Sequence, residues 1–360
     1  MKKILFLAHH RIDRSPGQRY RFEQFFDYLE TNGIQCYLAN IINEKDEKAL
    51  YHSKNILKKV RVGVNSFFRR WKHIKDIESF DLIVIYREVI PTKSTLFENY
   101  ISKKNIPIVY DFDDAIWVKD VSDVNKKISF LKDEKKIEKI IPLCKHITCG
   151  NEYLANYASK FNSNITIIPS TVDTDIYKPI EKHNKNGQVK IGWVGSHTTV
   201  KHFEMITDVY LKLKSKYKDK IDFVLIGDEN YHNKQLGIKG LKWENKMEVK
   251  LFNSFDIGIM PLPNNEWAKG KCGMKGLLYM SVGIPSVMSN VGMNKDIIEH
   301  GENGFLPVGE KQWVEVLSKL IENKELRKKI GDKGRKTVLE KYSKNKIKKT
   351  YLDLYTSLMK

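Results

Sequence analysis

Cysteine and proline are both scarce in this chain, with four and ten respectively among 360 residues. Cys36, Cys144, Cys149 and Cys272 are scattered, and none stands in a Cys-x-x-Cys pair. That excludes a disulfide framework and a cysteine zinc site as organising devices, and it points to the reducing cytosol. Long apolar runs are absent too, and nothing approaches the roughly 20 residues that a membrane-spanning helix needs. The amino end is basic, but its apolar part is too short for a signal peptide, and His9, His10 and Arg11 follow at once. It therefore reads as a first β-strand. His9, His10, His146, His197 and His202 do not fall at metal-ligand spacing, so no metal site is expected. Acidic residues are in deficit, 44 against 63 basic ones, which leaves a net charge of +19. Such a balance favours anionic partners: a phosphorylated substrate, acidic lipid headgroups or nucleic acid. No helix-turn-helix, zinc or RNA-binding signature supports the last, so nucleic acid is not an expected partner.

Short apolar runs alternate with helical stretches. Runs at 4–7, 82–85, 106–110, 147–149 and 165–168 form one series. A second series follows at 189–194, 223–226, 257–260 and 285–288, with 304–306 as a further candidate. This pattern predicts parallel sheets covered on both faces. The length suits two domains. The expected division is residues 1–170, a Pro-containing polar linker over 171–187, a second domain over 188–343, and a last helix over 344–360 that packs back on the first domain. Two doubly wound α/β domains facing a central cleft would place ligands at the carboxyl ends of their strands.

The most informative motif is Gly270-Lys271-Cys272-Gly273-Met274-Lys275 ahead of an apolar helix ending near Val282. The first N–H groups of a helix lack intrahelical partners, and the peptide dipoles put partial positive charge there. With Lys269, Lys271 and Lys275 beside it, this turn suits a phosphate or diphosphate; an ordinary tight turn is the competing reading. Gly192-Trp193-Val194-Gly195-Ser196, running into a helix with Lys201, allows a similar close approach to phosphate without the full Gly-x-Gly-x-x-Gly spacing. In the first half, Asp111, Asp113 and Asp114 close the run 106–110. These aspartates suit the orientation of sugar hydroxyls, the capping of the next helix or, ranking third, a metal ion. Gly17, Arg19 and Arg21 follow the first strand, where the arginines suit a phosphorylated acceptor, and His9 lies at that strand's end. From Lys54 to Lys75 there is no acidic residue, and Leu57, Val60, Val64, Phe67, Trp71 and Ile74 recur at helical spacing. The favoured reading buries this stripe against the sheet; the alternative sets the basic helix on an anionic membrane surface.

Together these residues resemble glycosyltransferase family 4, bacterial retaining enzymes of the GT-B fold. The resemblance is carried by Ile191-Gly192-Trp193-Val194-Gly195-Ser196, Asp256-Ile257-Gly258-Ile259-Met260-Pro261, Trp267-Ala268-Lys269-Gly270-Lys271-Cys272-Gly273, Gly283-Ile284-Pro285 and Glu302-Asn303-Gly304-Phe305. It extends to Arg19-Tyr20-Arg21-Phe22, Tyr110-Asp111-Phe112-Asp113 and Gly150-Asn151-Glu152. It implies sugar transfer from a nucleotide-diphosphate sugar to a glycan or lipid-linked acceptor in surface polysaccharide or glycolipid synthesis. No cofactor or bound metal would be needed. Gly195, Ser196, Lys201, Glu266, Lys271, Gly273, Met274 and Lys275 would lie at the donor. Gly17, Arg19 and Arg21 would meet the acceptor, and Asp111, Asp113 and His9 would serve catalysis. The resemblance also implies a cytoplasmic enzyme, peripheral on the inner face of the plasma membrane. The chain departs from the family where two glutamates are usual, at Gly270 and Leu278, and where an arginine is usual, at Ser196 or His197. Two other readings stand beside it: a nucleotide-sugar epimerase of the same fold, and a non-enzymatic basic protein that binds nucleic acid or membranes.

Overall fold

The structure, a computed structural model, describes residues 1–52, 55–118, 133–181 and 187–359. The chain forms two compact units, Met1–Ser170 with Ile347–Lys360, and Thr171–Lys346.

In the first unit six strands form one parallel sheet in the order β2-β1-β3-β4-β5-β6. They are β1 (Lys2–Ala8), β2 (Ile34–Asn40), β3 (Leu82–Tyr86), β4 (Ile108–Phe112), β5 (His146–Cys149) and β6 (Ile165–Ile167). Every residue of β3 and β4 is buried, as expected of strands covered on both faces. Strand β2 was not legible in the sequence, because Gln35, Cys36 and Tyr37 interrupt its apolar pattern. It is an edge strand, and only Ile34 and Ala39 are buried. Strand β4 sits two residues later than the run 106–110 suggests. Pro107 has no N–H to donate to a ladder, so regular pairing begins after it, and Asp111 falls inside the strand. The helical segment after β1 is broken: Pro16–Arg21, a 3-10 turn Glu23–Phe25, then Phe26–Thr31. Its aromatic residues Phe22, Phe25 and Phe26 pack with Phe6 and with Tyr351 and Tyr355 of the last helix.

The basic helix, Ile56–Ile74, overturns the favoured reading of its stripe. Its buried residues are Val62, Ser66, Arg70 and Ile74. Of the expected core positions only Ile74 is inside, while Leu57, Val60, Val64, Phe67 and Trp71 are exposed. The cause is Arg70, which is fully buried and donates to the carbonyls of Ala8 (2.8 Å), Ala39 (2.9 Å) and Val89 (3.0 Å). These carbonyls belong to β1, to β2 and to the loop after β3, and a guanidinium supplies donors in a fixed fork that meets all three. Lys54 lies outside the described residues.

In the second unit β7 (Val189–Val194), β8 (Ile221–Ile226), β11 (Ile257–Met260) and β12 (Ser286–Met288) form a parallel sheet in the order β12-β11-β7-β8, and β9 (His232–Asn233) pairs with β10 (Ile238–Lys239). The segment 304–306 contributes one bridge, Phe305 with Val287, rather than a strand. Much of the expected linker is packed. Val172 bridges Ser343, and the buried Tyr177 hydroxyl donates to Glu248. Strand order reverses between β1 and β3 and again between β7 and β11. In open α/β sheets ligands bind beyond the carboxyl ends of the strands at such reversals. The expected residues cluster there: His9 after β1, Asp113 after β4, Gly195 and Ser196 after β7.

Candidate functional site

The second unit's site is built around the helix Met274–Ser281. Its N-cap is Gly273 at φ +65°, a left-handed conformation that glycine adopts without strain. A Cβ there would meet Ile297 Cδ1 at 2.3 Å, so that side chain would have to shift to admit one. The first helical bond runs from Leu277 N to Gly273 O, and the N–H groups of Met274, Lys275 and Gly276 precede it. Two tryptophans carry the lysines beside this end. Lys271 Nζ lies 3.9 Å from the Trp267 ring centre and Lys201 Nζ 6.0 Å from it, while His202 stacks on the same indole at 4.8 Å. Lys275 Nζ sits 4.5 Å from the centre of the buried Trp193 ring. Such contacts contribute about 0.5–2 kcal/mol each and hold the ammonium groups in place without neutralising them. Loss of hydration pushes the half-buried Lys275 amine down to about 7, and the charge of Lys271 adds to the effect.

Gly195 closes the other side of this turn, where a Cβ would strike Trp193 Cη2 at 2.3 Å and Thr199 Oγ1 at 2.6 Å. Ser196 is exposed and its hydroxyl pairs with that of Thr198 at 2.8 Å. Glu266 is turned to Lys269 in an ion pair of 2.5 Å. The sequence picked out the lysines and glycines but missed both tryptophans as their supports. Trp267 stands four residues before Lys271, a helical spacing that signals contact. Nothing local links Trp193 to Lys275.

The first unit holds a second cluster. Arg21, expected to meet the acceptor, and Asp111, expected to serve catalysis, complete one another inside the unit. Arg21 is fully buried, its Nε and Nη2 reach the two Asp111 oxygens at 3.1 and 2.5 Å, and its Nη1 donates to the Ile168 carbonyl. Thr148 Oγ1 donates to the same carboxylate at 2.5 Å. This is a buried strut between the first helix and β4. Asp113 lies beyond it. It accepts from Tyr86 Oη at 2.8 Å and from Arg87 Nε and Nη2 at 3.0 and 2.8 Å. Burial alone would raise its carboxyl, but Arg87 and then Arg21 outweigh it and hold Asp113 ionised. Arg87 itself has φ +62°, and an arginine in that region is a strained placement of the kind that collects at functional sites.

His9 is held low, at about 3, by burial and by the charge of Arg70, so it is neutral. Its Nε2 lies 3.0 Å from the Glu88 carbonyl. A carbonyl only accepts, so that nitrogen carries the proton and Nδ1 keeps its lone pair. Arg19 is half-buried and donates to the Tyr20 hydroxyl at 2.8 Å. Gly17 backs onto the same cluster, where a Cβ would stand 2.0 Å from Tyr86 Oη. Gly17→Ala is therefore expected to lower the melting temperature by several degrees, a cost of about 1–3 kcal/mol. Adding Tyr86→Phe removes the clashing hydroxyl and should restore part of the loss; calorimetry of the two variants checks this. Among the described residues no cluster of three or more His, Cys, Asp or Glu side chains is arranged to hold a metal.

The fold is GT-B, with two α/β units of parallel sheet and flanking helices. Three solved structures share it across nearly their whole length. Sucrose-phosphate synthase from Thermosynechococcus elongatus superposes with a TM-score of 0.70 at 11% identity, with 99% of each chain covered. A glycosyltransferase from Rickettsia africae gives 0.70 at 16%, covering 100% of this chain and 99% of that one. Anabaena HepE in complex with UDP-glucose gives 0.69 at 14%, covering 99% and 100%.

Within that fold, residues 175–337 match the family Glycosyl transferases group 1. This span contains the whole lysine–tryptophan cluster and supports a glycosyltransferase. A stretch of 94 residues is 29% identical to N-acetyl-alpha-D-glucosaminyl L-malate synthase of Bacillus anthracis. It spans about a quarter of both proteins, 26% of this chain and 25% of the relative.

Proposed function

We propose that this chain is a retaining glycosyltransferase that moves a hexosyl group from a nucleotide-diphosphate sugar to a glycan or lipid-linked acceptor. The pathway class is bacterial surface polysaccharide or glycolipid synthesis at the inner face of the plasma membrane. The observation that carries this reading is the set of Lys201, Lys271 and Lys275 held on indole rings beside the glycine-capped start of the Met274–Ser281 helix.

Cleavage of the sugar's anomeric C–O bond leaves the bonding pair on the β-phosphate oxygen. Fixed cations and backbone N–H groups aimed at that oxygen stabilise the charge as it develops. No metal is required for that task, and Gly195, Ser196, Gly273 and Met274 let the phosphates approach the backbone. The acceptor hydroxyl adds to the same face of the anomeric carbon, and its proton passes to the leaving phosphate. In the first unit Gly17, Arg19, His9 and Asp113 are assigned to acceptor and sugar recognition. Neutral His9 accepts a hydroxyl hydrogen through Nδ1, and Asp113 accepts another. Arg21 and Asp111 act as positioning residues that fix the end of β4.

UDP and its sugars come first in a ligand screen, because the HepE neighbour was solved with UDP-glucose. UDP at a hundredfold excess over its Kd should stabilise the folded chain by about 2.7 kcal/mol and raise its melting temperature by several degrees. If neither UDP nor GDP moves the melting point, the donor site is misassigned. Lys275 also sets a pH dependence. Its ammonium is present below about 7 and lost above, so UDP affinity should fall about tenfold or more between about pH 7.5 and about pH 9, where the diphosphate is already fully ionised. Lys275→Arg, charged throughout that range, should flatten the profile.

A further inference from the structure

The Ile56–Ile74 helix shows the solvent an apolar ridge that the described residues of its own unit leave uncovered. Leu57 is 78% exposed, Phe68 67% and Val60 58%, with Ile56, Val64 and Trp71 also outside. A helix turns by about 100° per residue. On that wheel Ile56, Phe67, Val60, Trp71, Val64, Leu57 and Phe68 fill one continuous arc of about 120°. The adjoining arc holds Arg61, Lys72 and Lys58, all exposed. The third arc is the buried row Val62, Ser66 and Arg70.

The helix cannot roll to hide the ridge. Arg70 is fixed by three carbonyls and Arg69 by Asp46 at 2.8 Å, on the side away from the ridge. The outer aromatics are held from below, where Trp71 lies 5.4 Å from Tyr100 and Phe67 5.0 Å from Phe97, ring centre to ring centre. The helix has 19 residues and no acidic one. With so many lysines and arginines it does not qualify as a membrane span. An apolar ridge beside a row that carries three cations and no acidic residue matches an anionic lipid surface, with the apolar side chains below the headgroups and the ammonium and guanidinium groups among the phosphates.

We propose that this helix docks the protein on an anionic bilayer, lying in the plane of the headgroups with Leu57, Val60, Val64, Phe68 and Trp71 inserted. The proposal deepens the membrane-side placement given above and rests on it for its biological sense. Its physical basis is independent of the donor site.

The test is flotation of the full chain with vesicles of phosphatidylcholine alone and of phosphatidylcholine containing phosphatidylglycerol. Binding should appear only with the anionic vesicles and weaken as salt rises. Replacing Lys58, Arg61 and Lys72 together by glutamine should weaken it about a hundredfold, and Leu57→Gln with Phe68→Gln at least about tenfold. Both variants should keep the UDP-induced thermal shift, because none of these residues belongs to the donor cluster. Loss of vesicle binding with that shift intact isolates the helix; loss of the UDP shift in the parent chain would sink the donor reading and leave the docking result standing. Equal flotation with neutral vesicles, or binding unmoved by both variants, overturns the proposal. So does a concentration-dependent dimer in sedimentation velocity that Leu57→Gln with Phe68→Gln abolishes, since the ridge would then be covered by a second copy.

Discussion

Lys271→Ala is expected to cut sugar transfer about a hundredfold or more, with most of the loss in kcat. Its ammonium is seated on Trp267 at 3.9 Å, beside a helix start that already carries partial positive charge. The group needs no reorganisation when the phosphate oxygen gains charge, and loss of one such preorganised donor typically costs about 2.7–4 kcal/mol of transition-state stabilisation. Binding of intact UDP should suffer less, because Lys201 and Lys275 remain. Removing Lys271 also removes a repulsion that holds Lys275 low. The break in the pH profile of UDP binding should therefore move upward in the variant. Trp267→Leu should fall between parent and Lys271→Ala, since the lysine remains but loses its seat. Turnover of Lys271→Ala equal to the parent's would show that the diphosphate does not bind here.

Asp111→Ala should destabilise the protein by about 3–5 kcal/mol, which is about 4–7 °C in the melting temperature of a chain this size. The reason is Arg21. It is fully buried and its guanidinium meets both oxygens of Asp111. Without the carboxylate an uncompensated charge stays inside the unit, a far larger cost than the pair's own net contribution. Arg21→Met with Asp111→Leu removes both charges and should recover most of the loss. Calorimetry of single and double variants reads this directly. The UDP affinity of the single variant, measured below its melting point, should match the parent's, because the donor cluster lies in the other unit. An Asp111→Ala protein that melts like the parent but transfers no sugar would return Asp111 to the reacting groups.

The same residues show how far the sequence could be read. The alternation of apolar runs and helices is local information, and it was enough for two α/β units and nearly every central strand. The turn from Gly270 to Lys275 was legible because helix starts and glycine conformations depend on neighbours in the chain. Edge strand β2 escaped because a strand covered on few sides carries a weak apolar pattern.

What the sequence by itself determined was this local grammar: where strands and helices run, and where a phosphate can meet a helix start. Only the tertiary structure decided which partners the side chains took. Arg21 found Asp111 ninety positions away, and Lys275, at a helix start, found Trp193 on β7. The basic helix turned its arginine inward and its tryptophan outward, because Arg70 donates at once to carbonyls of β1, of β2 and of the loop after β3. Periodicity places side chains on a common face, but contacts made across the fold choose which face is buried.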